Sequence, residues 1–160
     1  MKVVEDVVEN PHILFLTNGS PWVLVASRTL TDAGLKVELV PEDDDLLSTL
    51  ESQRPDLLLV DADSSARDGF DACKAVRQGS SGENTPILLV TERRNTKKAF
   101  AAGATDIVIS PPDPAILIHR SRALVAAGRA LREARKSRES LEQLAHFDGL
   151  TELPNRVMFR

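Results

Sequence analysis

Apolar residues fall along this chain in five short runs separated by amphipathic stretches. The runs are residues 12–16 (HILFL), 35–40 (LKVELV), 56–60 (DLLLV), 86–91 (PILLVT) and 106–109 (DIVI). The third is apolar at nearly every position, as a strand covered on both faces requires. Between the first two runs the pattern predicts a helix reaching residue 33. Ser20 is its N-cap, Pro21 its first helical position and Gly34 its stop. A rival register makes residues 22–26 (WVLVA) the first strand. It leaves too few residues before Gly34 for a crossover helix and wastes the Ser20 and Pro21 start signal. Residues 41–53 carry Leu46, Leu47 and Leu50 at helical spacing, with acids at 42–45 in the first turn, where the helix dipole favours them. Further helices are predicted over 68–78 and 94–102, the latter closed by Gly103. From Pro114 a helical pattern continues to about residue 146 without a proline or a strong cap.

Strands alternating with helices predict a doubly wound parallel α/β sheet with helices on both faces. In such sheets sites form beyond the carboxyl ends of the strands. That directs attention to Thr17, Asn18, Asp61, Thr91 and Ser110.

Composition narrows the setting. With 160 residues, 42% of them apolar, the chain can build one well-filled core plus an appendage. A net charge of −4 suggests neither a nucleic acid nor an anionic membrane as partner. No stretch approaches the ~18 apolar residues of a membrane span. The first ten residues, MKVVEDVVEN, place acids where a secretion signal needs an apolar run. The single cysteine, Cys73, excludes an internal disulfide framework and fits a reducing compartment, so a cytoplasmic protein is expected. Cys73 itself sits in a helical pattern and reads as a small buried hydrophobe. His12, His119 and His146 match no metal-ligand spacing, and Arg93, Arg94, Lys97 and Lys98 read as a solvated helix face.

Three segments carry a family resemblance. RPDLLLVDADSSARDGFDACKAVR, TPILLVT and AAGATDIVISPP resemble the third strand to third helix, the fourth strand and the fifth strand of response-regulator receiver domains, the CheY-like family. The resemblance spans residues 12–125 and implies a five-stranded sheet of order 2-1-3-4-5. It puts Asp61 at the phosphoacceptor position, Asp68-Gly69-Phe70 at the family's DGF and Thr91 at its strand-four hydroxyl. It also implies a cis peptide before Pro111. The departures are Thr17 and Asn18 where the family has the acidic pair that holds Mg²⁺, and Ser110 where it has a lysine. Ser64-Ser65 stands for Met-Pro, and Ile107 for the aromatic switch residue. Phosphoryl transfer to a carboxylate depends on cationic stabilisation, and Mg²⁺ needs carboxylates to hold it. The expectation is therefore a pseudo-receiver with no cofactor, no metal and no catalytic residue, in which Asp61 is not phosphorylated at a useful rate. The alternative is a working phosphoacceptor at Asp61, with Asp63 supplying the missing acid for Mg²⁺.

In the long helix Leu117, Leu124 and Leu131 repeat every seven residues, with Ala127, Ala134 and Leu141 as the partnering row. Apolar residues in both rows predict a coiled coil, interrupted by Arg120 and Arg138. Residues 129–139 carry both signs of charge at helical pair spacing, which suits an exposed helix. The final residues contain Asp148, Leu150, Thr151, Leu153, Asn155 and Arg156, which resemble the D-x-L-T-x-L-x-N-R opening turn of GGDEF domains. Those domains condense GTP into cyclic-di-GMP, and Pro154 is frequent in hybrids that also carry an EAL domain. The organisation expected is an N-terminal arm (1–11), a receiver-like domain (12–125), a dimerising signalling helix (126–146) and the start of a GGDEF domain (147–160). The chain by itself is expected to turn over nothing. Its expected partners are a second copy and a sensor kinase or other regulatory protein. A stand-alone interaction adaptor is the remaining alternative.

Overall fold

The computed structural model describes residues 10–17, 19–41, 45–63, 68–79 and 84–146, with backbone only at His146. Among the described residues five strands and five helices alternate. They are β1 (His12–Thr17), α1 (Val23–Asp32), β2 (Lys36–Pro41), α2 (Leu46–Gln53), β3 (Leu57–Asp61), α3 (Gly69–Gln78), β4 (Ile87–Thr91), α4 (Thr96–Ala101), β5 (Asp106–Ile109) and α5 (Pro114–His146). A 3₁₀ turn, Arg93–Asn95, precedes α4. The strands pair in parallel in the order β2-β1-β3-β4-β5, the doubly wound order expected.

Strand alternation divides the core between the two faces. Leu14, Leu16, Leu58, Val60 and Leu89 face α2, α3 and α4, where Leu50, Phe70, Cys73, Val76 and Ala99 meet them. Ile13, Phe15, Leu59, Leu88 and Val90 face α1 and α5, against Val23, Leu30, Leu117 and Val125. β3 and β4 are buried at every position, whereas edge strand β2 buries only Val40.

Two helix starts differ from the sequence pattern. α1 begins at Val23, not at Pro21, and the Ser20 side chain does not cap it. The Ser20 carbonyl instead accepts from the Val23 amide at 3.0 Å, closing a turn ahead of the helix. Trp22 explains the shift, since its ring packs against Phe15 at 5.7 Å between centroids and draws the segment onto the sheet. α2 begins at Leu46, because Asp45 is the N-cap and accepts from the Ser48 amide at 3.2 Å. Pro41 belongs to β2, where it pairs with Thr17 at the sheet edge.

α3 shows why Asp68 and Gly69 stand together. Asp68 caps the helix by accepting from the Phe70 amide at 2.8 Å. A Cβ on Gly69 would lie 2.6 Å from the Ala62 Cα, so only glycine lets the helix start this close to the end of β3. Farther along α3, Arg77 donates to the carbonyls of Gly103 and Thr85 and to the Thr105 hydroxyl, tying the helix to the segments before β4 and β5. The Ser110-Pro111 peptide is cis, as expected.

The chain divides into two units, Met1–Ala126 and Ala127–Arg160, and α5 belongs to both. Leu117 is fully buried and Leu124 packs against the same cluster, so these two leucines serve the core of the first unit. The heptad register runs through both, but the sheet covers Leu117 and partly covers Leu124, so the exposed seam positions begin at Ala127. Arg120 is likewise committed, to Asp106 and the Ile107 carbonyl. In the second unit Leu131 and Leu141 are 55% and 65% exposed, and Ala127 and Ala134 are exposed beside them. The GGDEF-like residues Asp148, Leu150, Thr151, Leu153, Asn155 and Arg156 lie outside the described residues, as does the arm up to residue 9. Among the described residues no helix is long and apolar enough to cross a membrane.

Candidate functional site

Parallel strands bring their carboxyl ends to one edge of the sheet. In register, Asp61 lies across from Val90, and Thr91 across from Ile109. The edge therefore gathers Thr17, Asp61, Thr91 and Ser110, as the sequence predicts; Asn18 lies outside the described residues. Thr17, Asp61 and Thr91 are all buried.

Each position has a local reason for its geometry. The Thr17 hydroxyl accepts from the Gly19 amide at 3.0 Å, and Gly19 has a positive φ that suits glycine. One of its lone pairs thus serves its own turn. Asp61 ends β3, and the Ala62 amide after it still donates to the Val90 carbonyl at 3.0 Å, so the sheet holds the backbone on both sides of the carboxylate. The Ser110 amide donates to the Thr91 carbonyl at 2.9 Å just before the cis bond. A groove of about 620 Å³ runs beside Ser110, lined by Arg93, Thr96, Ile107, Ile116 and Arg120. Ile107, at the aromatic switch position, is buried in the core beside that groove.

Asp63 departs from expectation. The Thr91 hydroxyl donates to its Oδ1 at 2.8 Å, and the Glu92 amide donates to its Oδ2 at 2.8 Å. Asn95 Nδ2 lies 3.4 Å from both Asp63 Oδ1 and the Thr91 hydroxyl. The side chain reaches across to the end of β4 and the turn before α4, with both oxygens engaged there. Sequence reasoning singled out Asp63 and Thr91 separately and missed Glu92 and Asn95. The available signal was positional: both strands end at the same sheet edge, and an acid and a hydroxyl sit just past and at those ends. Lys98 was also read too simply, for it lies 3.9 Å from the Asp68 carboxylate and 4.4 Å above the Phe70 ring.

The Mg²⁺ that the family resemblance implies does not fit this donor set. The acidic pair is missing from the described donors: Thr17 and Ser110 bring no charge, both oxygens of Asp63 hold the β4–α4 segment, and Asp61 is the other carboxylate at this edge. Among the described residues no group of three or more His, Cys, Asp or Glu could hold a metal ion.

Comparison with known proteins agrees with this arrangement of strands. A family model described as the response regulator receiver domain matches residues 22–122. The chain is 29% identical over 121 residues to the transcriptional regulatory protein AfsQ1 of Streptomyces coelicolor, covering 74% of this chain and 52% of that protein. It is 35% identical over 101 residues to the response regulator MprA of Mycobacterium avium, covering 61% of this chain and 43% of that protein. It thus spans about half the length of the curated relatives it matches. The structure of the chemotaxis protein CheY4 of Vibrio cholerae superposes with a TM-score of 0.64 at 27% identity, covering 72% of this chain and 98% of that one.

Proposed function

Since the chain belongs to the response regulator receiver domain family, we propose that it is a receiver module that regulates without phosphorylation of Asp61. It passes its signal through protein contacts, or through pairing of α5 with a second copy, to an output in cyclic-di-GMP signalling. The observation that carries this reading is the engagement of both Asp63 oxygens by Thr91 and Glu92. Two anions meet when a phosphoryl donor approaches Asp61, and catalysis needs positive charge to offset them. Thr17 and Ser110 bring none, and Asp63 is already occupied by the neighbouring segment. The module itself turns over no substrate in this reading. Its input is a sensor kinase or another regulatory protein acting by contact.

The output assignment rests on the sequence of residues 148–156 and their likeness to the GGDEF opening turn. A second reading, an output that acts on transcription, is favoured by the 29% identity to a protein named as a transcriptional regulator. Cyclic-di-GMP made or degraded by the complete gene product, lost when residues 127–146 are deleted, supports the first reading. DNA binding without dinucleotide turnover supports the second.

The phosphorylation part is tested by incubating the chain with Mg²⁺ and acetyl phosphate. Incorporation is expected to stay at the level of an Asp61→Asn control. Stoichiometric phosphate that disappears in that control overturns it.

A further inference from the structure

We propose that Asp63 is a built-in anionic ligand that fixes the β4–α4 segment in one position. The inference rests on geometry alone and holds whichever output the module controls and whether or not Asp61 is phosphorylated.

Asp63 lies just past β3, whereas Thr91, Glu92 and Asn95 lie at and just past β4. Its carboxylate takes the Thr91 hydroxyl on one oxygen and the Glu92 amide on the other, each at 2.8 Å. Asn95 closes the ring with contacts of 3.4 Å to both the carboxylate and the hydroxyl. Hydrogen bonds to an ionised acceptor are about twice as strong as neutral ones, and neighbouring bonds in a network polarise one another. Thr91 is fully buried at the end of β4, so it anchors the acid while Glu92 and Asn95 are held by it. The segment held in this way begins a basic ridge, with Arg93, Arg94 and Lys97 exposed. Any surface offered by that ridge is therefore positioned by Asp63 from inside the chain. No external anion is needed to draw Thr91 and the turn toward β3.

The chemistry also explains why an acid is required. A hydroxyl at residue 63 offers one uncharged oxygen, so the Thr91 hydroxyl and the Glu92 amide would have to converge on a single atom instead of meeting one oxygen each. An amide would keep one carbonyl oxygen and lose the second acceptor.

Amide hydrogen exchange on the whole chain tests the proposal, with Asp63→Ala, Asp63→Asn and Thr91→Val compared with the parent. In Asp63→Ala the Glu92 amide should exchange roughly three- to tenfold faster, the range expected from losing a solvent-exposed bond to a carboxylate. The Leu58 amide, bonded to the Pro86 carbonyl inside the sheet, should not change. Asp63→Asn should fall between parent and alanine. Thr91→Val should speed Glu92 exchange in the parent and add little on top of Asp63→Ala, because both remove the same unit. An unchanged Glu92 rate, a rate that rises in step with Leu58, or fully additive effects of Asp63 and Thr91 each overturn the proposal.

Discussion

Cys73 is fully buried on α3, and that burial pushes its thiol above the ordinary range, although the positive charge of Arg77 pulls the other way. Partial burial of Arg77 itself lowers its guanidinium, with Cys73 opposing. For the thiol, the consequence for stability has a definite sign. Above the ordinary thiol value of about 8.5 the unfolded chain loses a proton that the folded chain keeps. The unfolded state then binds fewer protons, so stability falls as pH rises through that range and is unaffected by this group below it. Cys73→Ala should lower stability at neutral pH through lost packing but flatten the decline above about pH 8.5. Urea midpoints of both proteins from pH 7 to 10 measure the difference, and parallel curves would refute it. At the same scale Asp63 shows the limit of reading residues from sequence. Its identity and its nearness to Asp61 were legible. The direction of its side chain was not, because that depends on what the adjoining strand offers at its end, and there the Thr91 hydroxyl and the Glu92 amide both meet it.

At the scale of elements, α5 shows how periodicity detects a helix without saying which half is covered. Leu117, Leu124 and Leu131 are equivalent in the seven-residue pattern. The sheet distinguishes them, burying the first, partly covering the second and leaving the third exposed. Strand positions were read almost to the residue, since a buried run ends where polar residues begin. Helix starts were read less well, because a cap signal such as Ser20 competes with packing such as Trp22 on Phe15. The exposed row on α5 leads to a specific outcome. If Leu131 and Leu141 form the seam between two copies, replacing both with glutamate removes the burial of two leucine side chains and sets like charges across the interface. Each buried leucine contributes about 1.5–3 kcal/mol, so the dimer dissociation constant should rise by more than about a hundredfold. Sedimentation equilibrium of the parent and the double variant checks this. Equal association, or a parent that is monomeric at high concentration, leaves α5 as a linker only.

For the whole molecule, sequence and structure agree because several levels of the chain point to the same answer. Apolar runs, the Asp45 and Asp68 caps, and the Gly34 and Gly103 stops all specify one alternation of strand and helix. The site was legible as a place, the carboxyl edge of the sheet, because topology alone determines it. Its connections were not, since they join residues separated by about thirty positions in sequence, as Asp63 and Thr91 are. The same division of labour bears on stability. Among the described residues neither core cluster includes any residue beyond Val125. A helix exposed all round is marginal by itself in water. Ending the chain after Ala126 should therefore change the unfolding free energy by less than about 0.5 kcal/mol when the protein is dilute and monomeric. Association changes that balance, because a partner that binds only the folded state raises apparent stability with concentration. The longer chain should gain in urea midpoint as its concentration rises, while the chain ending at Ala126 should not. A lower midpoint for the shortened chain at high dilution would show that the core extends past Val125. Midpoints that never diverge on concentration would show that the exposed leucines of α5 do not join two copies.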